Sequence, residues 1–219
     1  MKSIYDLILF DLDGTLTDSE PGIVGSVKKA LIRMHLPIPP QKTLLKFIGP
    51  PLWYSFVNFC GMTSEQAEQA VIFYRETYNV TGAFQNLPYP HVIELLDDLK
   101  ATGVPLAVAT SKPDDIARPV LDYFKLTPYF DYISAPDEKE HSSNKKELIL
   151  SALKFCKVPK ERTVMIGDTH YDAIGAREAE TNFIGVLYGF GTQAEMEQEG
   201  ASHFAENLEE LKTLLLSNS

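Results

Sequence analysis

The sequence predicts an α/β fold with a doubly wound parallel sheet and an inserted helical domain. A short apolar run at 4–10 opens the chain and is typical of a buried strand. From residue 90 onward, apolar runs alternate with helical patterns, which favours parallel strands joined by right-handed helical crossovers. Residues 18–86 carry helical patterns without a convincing strand, and so interrupt that alternation. Together these observations indicate a core sheet with a second lobe inserted after its first strand.

The inserted segment is predicted to be entirely helical. Its helices are expected at 22–36, 41–48, 52–59 and 63–80. Pro21 suits a first helical turn, and Thr63 with the two residues that follow it gives an N-terminal capping signal. The first helix is expected to stop before Pro37, and the prolines at 88 and 90 mark the return to the core. We therefore predict an α/β core made of 1–17 and 87–219 and a helical domain at 18–86.

The second half of the chain carries the remaining elements of the predicted core. A strongly apolar run at 104–109 indicates a fully buried strand. Further strands are predicted at 132–135, 163–166 and 183–187. Helices are predicted at 91–101, 113–124, 144–156, 170–180, 193–199 and 208–216.

Composition and charge narrow the classes of function. The 219 residues carry a formal net charge of -10 at pH 7, which disfavours a nucleic-acid polymer or an anionic membrane as the main partner. No apolar run has the length of a membrane span, and Asp6 and Asp11 interrupt the N-terminal run, so no signal peptide is predicted. Cys60 and Cys156 are too few for a disulfide framework. We therefore expect a cytoplasmic protein in a reducing compartment.

Two carboxylates, Asp11 and Asp13, directly follow the first predicted strand. They cannot both enter an apolar core, because each would be desolvated without a partner. Gly14 and Thr15 come next, and such a turn exposes backbone N–H groups that suit an anion. Carboxylates for a metal ion beside N–H groups for an anion are the components of a phosphoryl-transfer site.

Polar residues also follow the later predicted strands. They are Thr110, Ser111 and Lys112 after one strand, Gly167 and Asp168 after another, and Lys145 and Asp172 near the starts of helices. In an open parallel sheet, ligands bind beyond the carboxyl ends of the strands. We therefore expect these residues to meet Asp11 at one edge of the sheet.

These separated motifs together resemble those of the haloacid dehalogenase-like hydrolase superfamily. In chain order the motifs are Asp11-Leu12-Asp13-Gly14-Thr15, Thr110-Ser111, Lys145, and Gly167-Asp168 with Asp172. Their order and rough spacing match over essentially the whole chain, which implies a Rossmann-like core. The helical domain lies between the first and second motifs, as in the subgroup with a helical cap. The segment 47–52 is similar to the phosphoglycolate phosphatase and bacterial 5′-nucleotidase branch.

The resemblance implies a role for each motif. Asp11 is expected to be the nucleophile and, together with Asp168, a ligand of Mg²⁺. Asp13 is expected to act as general acid and then as general base, while its backbone carbonyl contacts the metal. Asp172 is expected either to support the metal site or to stabilise the first turn of its own helix. The expected phosphate-binding residues are Gly14, Thr15, Thr110, Ser111 and Lys145.

Some assignments stay open between neighbouring residues. Adjacent residues on a helix lie about 100° apart, so one of Lys145 and Lys146 faces the site, and the apolar pattern favours Lys145. Lys112 is a weaker candidate for substrate contact. The aromatic residues of the third predicted helix are expected to form the small core of the helical domain rather than a platform for a base: Trp53, Tyr54 and Phe56.

The resemblance implies a Mg²⁺-dependent phosphatase that hydrolyses a small phosphomonoester through an aspartyl-phosphate. Its expected partner is a small phosphorylated metabolite or nucleotide, with phosphoglycolate and a nucleoside 5′-monophosphate as the leading substrates. A phosphomutase similar to β-phosphoglucomutase would share the whole site, and a non-catalytic binding or regulatory protein on the same fold is a further alternative. A dinucleotide-binding oxidoreductase is excluded, because no Gly-x-Gly-x-x-Gly turn follows the first strand.

Overall fold

The structure, a computed structural model, describes residues 2–137 and 144–217. The chain divides into two compact units, Met1–Thr17 with Pro88–Ser219, and Asp18–Leu87. It leaves the first unit and returns to it through two short strands, at Thr17–Asp18 and Leu87–Pro88. Among the residues that the structure describes, no helix has the length and apolar character needed to cross a membrane.

The first unit contains most of the strands, and the second unit is mainly helical. The strands are β1 (Lys2–Ser3), β2 (Leu7–Phe10), β3 (Thr17–Asp18), β4 (Leu87–Pro88), β5 (Leu106–Ala109), β6 (Tyr132–Ser134), β7 (Thr163–Gly167), β8 (Asn182–Val186), β9 (Phe204–Ala205) and β10 (Leu216–Ser217). The α-helices are α1 (Glu20–Arg33), α2 (Gln41–Leu45), α3 (Leu52–Cys60), α4 (Ser64–Tyr78), α5 (Val92–Ala101), α6 (Asp114–Tyr123), α7 (Lys145–Cys156), α8 (His170–Ala179), α9 (Gln193–Gln198) and α10 (Leu208–Leu215).

A six-stranded parallel sheet forms the centre of the first unit, in the order β6-β5-β2-β7-β8-β9. From β2 the chain builds the sheet outward in both directions, which is the doubly wound arrangement. Every residue of β2, β5 and β7 is buried, as expected for parallel strands that helices flank. The predicted α/β class with a doubly wound parallel sheet is therefore confirmed.

The register of the sheet brings the carboxyl ends of its three central strands level. Phe10 of β2 pairs with Val108 of β5 on one side and with Ile166 of β7 on the other. The N–H of Asp11 continues the pairing and donates to the Ile166 carbonyl at 2.9 Å. The residues that follow these three strands therefore emerge together at one edge of the sheet.

The first predicted strand, at 4–10, is shorter in the structure, because β2 begins at Leu7. Before it, the N–H of Tyr5 donates to the Ser3 hydroxyl at 3.1 Å and turns the chain. Asp6 then pairs with the exposed Arg162. Polar contacts thus keep 4–6 out of the sheet. The prediction also missed the short edge strand β9, since two residues show no alternation.

In the second unit, α1 and α3 both pack against α4. A Cβ atom at Gly22 in α1 would lie 2.0 Å from the Gly82 carbonyl oxygen, so only a glycine allows this approach. Phe47 and Phe56 are almost fully buried and meet edge to face, with ring centroids 5.0 Å apart. These contacts form an apolar core within this unit.

Of the three aromatic residues predicted for this helical core, Phe56 is buried, but the prediction is wrong for Trp53 and Tyr54. Their exposed fractions are 38% and 43%. The buried face of α3 centres on Ser55 and Phe56. At about 100° per residue, the two preceding side chains lie toward the other side of the helix.

We predict that Leu9→Ala destabilises the protein strongly, while Leu150→Ala does not. Leu9 lies in the central strand and is 0% exposed, whereas Leu150 on α7 is 41% exposed. A buried Leu→Ala change typically costs about 2–5 kcal/mol, and a surface change about 0.5 kcal/mol or less. Denaturant unfolding of both variants measures the difference. Equal losses in the two variants would contradict the central place of β2.

Candidate active site

The predicted site residues begin where the central strands end. Asp11 follows β2, Thr110 follows β5 and Asp168 follows β7. All three side chains are buried, with 6%, 1% and 0% of their surface exposed. The level strand ends therefore place two carboxylates and a hydroxyl at the same edge of the sheet.

Three buried carboxylates come together there, and one lysine lies among them. Asp11, Asp168 and Asp172 each offer an oxygen, and these oxygens lie within 4.8 Å of one another. Lys145 Nζ lies 2.9 Å from Asp11 Oδ1 and 2.8 Å from Asp172 Oδ1. It also donates to the Ala109 carbonyl at 3.1 Å. The cluster therefore has more negative than positive charge.

The start of α7 places Lys145, rather than Lys146, in this cluster. Asn144 caps the helix, and its side-chain oxygen accepts from the Lys146 N–H at 3.0 Å. Lys145 is 6% exposed, whereas Lys146 is half-buried. A Cβ atom at Gly175 in α8 would lie 2.5 Å from Lys145 Cγ. The Lys145 side chain therefore fits in this position only because residue 175 is a glycine.

The turn after Asp13 packs directly on Asp168. Gly14 has a φ of +86°, which favours glycine, and its N–H donates to the Thr17 carbonyl at 2.8 Å. A Cβ atom at Gly14 would lie 2.2 Å from Asp168 Oδ2. The Thr15 hydroxyl makes a long contact of 3.4 Å to Asp168 Oδ1, and the Tyr188 hydroxyl donates to the Thr15 carbonyl at 3.0 Å. The turn is thus fixed by contacts on both sides.

Asp13 and the loop after β5 are joined by Lys112. Lys112 Nζ donates to Asp13 Oδ2 at 2.5 Å, and its backbone N–H donates to the Thr110 hydroxyl oxygen at 3.1 Å. The Thr110 N–H donates to the Ser134 carbonyl, so it belongs to the sheet. Its hydroxyl hydrogen remains a possible donor to a ligand. Ser111, the other predicted phosphate contact here, is half-buried.

The loop after β8 makes a contact that the sequence analysis missed. The Phe190 N–H donates to Asp168 Oδ2 at 2.8 Å. A Cβ atom at Gly189 would lie 2.5 Å from the same oxygen, and one at Gly191 would lie 2.2 Å from the Asp168 carbonyl oxygen. The sequence did contain a signal for a turn here, because glycines at 189 and 191 flank Phe190 just beyond the strand predicted at 183–187.

Asp172 holds the start of α8 and pairs with Lys145. Its Oδ2 accepts from the Thr169 N–H at 3.0 Å and from the Thr169 hydroxyl at 2.7 Å. A Cβ atom at Gly167 would lie 2.3 Å from Asp172 Cγ, so β7 and α8 meet closely at this side chain. Of the two roles left open for Asp172, helix stabilisation is thus present in the structure, and support of a metal ion stays a proposal.

Burial shifts the pKa values of the cluster. Desolvation raises the pKa of Asp11 to about 6; Asp172 and Asp13 add to this and Lys145 opposes it. The pKa of Asp168 rises well above its usual value, through burial first and then through the charges of Asp172 and Asp11. Burial by itself would lower the pKa of Lys145, but its two carboxylate partners outweigh this and raise it. Asp11 and Asp168 therefore hold a proton more readily than free carboxylates do.

The carboxylate oxygens fit a hard divalent cation such as Mg²⁺, which prefers oxygen ligands. The close group of Asp11, Asp168 and Asp172 offers three such ligands. With Lys145 as their ion-pair partner, these side chains sum to a charge of -2 when ionised, since three carboxylates face one ammonium. A divalent cation would balance that charge and relieve the carboxylate repulsion, which adds to desolvation in raising the pKa values of Asp11 and Asp168.

Residues 8–186 match the family model of the haloacid dehalogenase-like hydrolases. This chain belongs to that family. The matched range contains Asp11, Thr110, Lys145 and Asp168, so all four sequence motifs lie within it. The family resemblance inferred from the sequence is therefore confirmed.

Relatives of this haloacid dehalogenase-like hydrolase carry several names. It is 38% identical over 214 residues to a 5′-nucleotidase of Pseudomonas aeruginosa, covering 98% of this chain and 97% of the relative. It is 33% identical over 211 residues to a phosphoglycolate phosphatase of Caulobacter vibrioides, covering 92% and 88%. It is also 36% identical over 185 residues to the tyrosine-protein kinase PtkA of Mycobacterium tuberculosis, covering 84% and 63%.

The fold also has a close counterpart among solved structures. A crystal structure of a predicted phosphatase from Clostridium acetobutylicum matches with a TM-score of 0.91 at 39% identity. The match covers 97% of this chain and 98% of that one. The similarity in fold therefore extends over almost the whole chain.

We predict that Mg²⁺ stabilises the protein more at pH 7.5 than at pH 5. Because the folded-state pKa of Asp11 is raised from 3.8 to about 6, folded metal-free protein keeps a proton between these values that the unfolded chain has lost. Its free energy of unfolding therefore falls as pH rises through this window. Mg²⁺ must displace that proton at pH 5 but not at pH 7.5. At about 100 times its Kd, Mg²⁺ would add about 2.7 kcal/mol.

Thermal melts with Mg²⁺ or with EDTA at both pH values measure this effect. Asp168→Asn should remove most of the Mg²⁺-dependent shift, while Asp97→Asn, at an exposed carboxylate, should keep it. A shift that is independent of pH, or one that survives in Asp168→Asn, would place the cation elsewhere.

Proposed function

We propose that this haloacid dehalogenase-like hydrolase is a Mg²⁺-dependent phosphatase that acts on small phosphomonoesters, with Asp11 as the nucleophile. The observation that carries the proposal is the position of Asp11. It is buried at the carboxyl end of the central strand, 2.9 Å from the Lys145 ammonium and in the same carboxylate group as Asp168. A carboxylate held in this way can attack phosphorus directly.

The proposed reaction has two steps. In the first, an Asp11 oxygen forms a bond to phosphorus, the ester P–O bond breaks, and Asp13 passes a proton to the leaving oxygen. The alcohol departs and an aspartyl-phosphate remains on Asp11. In the second, Asp13 takes a proton from water while the water oxygen bonds to phosphorus and the bond to Asp11 breaks. Inorganic phosphate leaves, and Asp13 has regained its proton. Bound Mg²⁺ would neutralise charge between nucleophile and phosphate.

Binding of the phosphate group needs local positive charge and N–H donors, because the chain as a whole carries -10. The Lys145 ammonium is the buried positive charge next to Asp11. The Thr110 hydroxyl retains a hydrogen to donate. The proposed phosphate ligands are Thr110, Ser111 and Lys145, together with Gly14 and Thr15, whose N–H groups donate to the Thr17 and Leu12 carbonyls in the structure and would have to exchange those partners for phosphate. The proposed metal ligands are Asp11, Asp168 and the backbone carbonyl of Asp13, and Asp172 would support this site.

We propose that the helical domain at 18–86 is a cap that selects the substrate, with 1–17 and 87–219 as the catalytic core. The exposed rings of Trp53 and Tyr54 support a nucleotide, because a nucleobase stacks on such rings. The greater identity to a 5′-nucleotidase than to a phosphoglycolate phosphatase supports the same choice. A nucleoside 5′-monophosphate is therefore the first candidate substrate, and phosphoglycolate the second.

A phosphate-release screen over AMP, UMP, phosphoglycolate and β-glucose 1-phosphate, with Mg²⁺ or EDTA, tests this function. Steady Mg²⁺-dependent release from a nucleotide or from phosphoglycolate is the expected result. Isomerisation of the sugar phosphate without release would favour the phosphomutase. Transfer from ATP to a tyrosine peptide would favour the activity for which the M. tuberculosis relative is named. No turnover with any compound would favour a binding protein.

Asp11→Asn should abolish hydrolysis, with a fall in kcat/KM of at least about 10³-fold, because an amide oxygen is a poor nucleophile. The fold should persist, since the amide is close in shape to the carboxylate. Phosphate release and a melting curve measure the two effects, with Asp97→Asn as the control. Activity near that of the wild type would refute Asp11 as the nucleophile.

Lys145→Met should lower activity by at least about 100-fold, while Lys146→Met should change it by less than about threefold. The first change leaves Asp11 and Asp172 without their ammonium partner, and the second alters a half-buried residue that is not paired with them. Rates per folded molecule, from activity and melting measured together, separate catalysis from stability. The reverse order of effects would assign the third motif to Lys146.

A further inference from the structure

Asp13 and Lys112, which both belong to the first unit, form an ion pair with little exposed surface. Lys112 Nζ lies 2.5 Å from Asp13 Oδ2, and the side chains are 3% and 14% exposed. A lysine in water samples many conformations, and an exposed pair of this kind contributes little. Here the short charge-assisted bond and the low exposure hold both groups in one geometry. This pair is therefore a built feature of the site rather than a surface contact.

The two oxygens of Asp13 differ in their surroundings. Oδ2 accepts from Lys112, whereas Oδ1 is buried and has no hydrogen-bond partner within 2–137 and 144–217. Burying a polar oxygen without a partner has a cost, so such an atom commonly marks a functional position. The bond to Oδ2 restrains the carboxyl group, and Oδ1 is the oxygen that none of these residues contacts with a donor.

The backbone around Lys112 is restrained on both sides of this residue. Its N–H donates to the Thr110 hydroxyl at 3.1 Å, and Pro113, which restricts the next backbone angle, follows it at the N-cap of α6. The support for Asp13 thus comes from the loop after β5, not from its own turn. The contact between Lys112 and Asp13 thus joins the segment after β5 to the segment after β2.

We propose that Lys112 is a positioning residue for Asp13 in the hydrolysis of the phosphoester. The inference rests on the proposed function, in which Asp13 gives a proton to the leaving oxygen. General acid catalysis requires the donor within about 2.6–3.2 Å of the oxygen that it protonates, so a carboxyl free to rotate would lose much of its effect. Lys112 holds Oδ2 in both steps, and Oδ1 carries the proton to the leaving oxygen and takes the next from water.

The test compares two esters of similar shape. The leaving group of p-nitrophenyl phosphate departs as a stabilised anion and needs little protonation. Phenyl phosphate releases a phenol with a pKa of about 10, as for the tyrosine side chain, and depends more on the acid. The quantity measured is kcat/KM, which reports the transfer step even where hydrolysis of the aspartyl-phosphate limits kcat.

In Lys112→Met, kcat/KM for phenyl phosphate should fall at least about 10-fold more than kcat/KM for p-nitrophenyl phosphate. This is a part of the whole effect of general acid catalysis, which is about 10²–10⁴-fold. Asp13→Asn should show the same pattern more strongly. Adding Lys112→Met to Asp13→Asn should then change neither rate, because the lysine acts through the missing carboxyl. Lys112→Arg, which keeps a donor, should recover part of the phenyl phosphate rate.

Because both esters are measured on one preparation, partial unfolding scales both rates alike and leaves their ratio unchanged. Lys212→Met removes a more exposed lysine, paired with Asp98 at 2.6 Å, and is the matched control with an unchanged ratio. An equal fall for both esters in Lys112→Met, or a further fall in the Asp13→Asn background, would overturn the inference and favour direct contact with substrate. If the wild type hydrolyses neither ester nor any compound of the screen, the proposed function itself fails.

Discussion

The ion pairs of Lys145 are the interaction on which the rest of the site depends. One ammonium lies 2.9 Å from Asp11 and 2.8 Å from Asp172, and so joins the end of β2 to the starts of α7 and α8. A buried ion pair contributes little net stability compared with well-packed apolar side chains, because both charges lose their hydration. We therefore relate the pair to the proposed role of Asp11 as the nucleophile rather than to the stability of the fold.

Close packing of glycine against charged side chains is the constraint that keeps this arrangement fixed. At four positions around the cluster, a Cβ atom would lie under 3.0 Å from a side-chain atom of Asp168, Asp172 or Lys145: Gly14, Gly167, Gly175 and Gly189. The backbone of these glycines thus packs directly against the charged side chains, which have little room to change rotamer. Groups held in this way need little reorganisation when charge develops during a reaction.

The sequence was informative where a local pattern carried the information. Apolar runs located the central strands, and the rule for parallel sheets placed Asp11, Thr110 and Asp168 at one edge; the register of Phe10 agrees with this. Contacts made by loops beyond the strand ends were not predictable. The glycines at 189 and 191 indicate a turn, but they do not indicate that the Phe190 N–H donates to Asp168. The exposure of Trp53 on α3 was likewise not predictable from the sequence. This helix has nine residues with apolar side chains on several faces, so the sequence does not show which face is buried.

In the proposed function, the excess of negative charge at the cluster would allow an acidic protein to bind an anionic substrate together with a cation. Three carboxylates and one ammonium repel a phosphate group, yet the same imbalance attracts a divalent cation. Once the cation is present, the four side chains and the cation sum to zero, and the repulsion of phosphate is largely removed. The binding of cation and the binding of phosphate would then be linked, and each would raise the affinity for the other by the same factor. The pKa of Asp11, raised to about 6, belongs to the same linkage, since a proton and a cation compete for one carboxylate. In the proposed function, proton, cation and substrate would therefore be coupled through the charge of a single buried cluster.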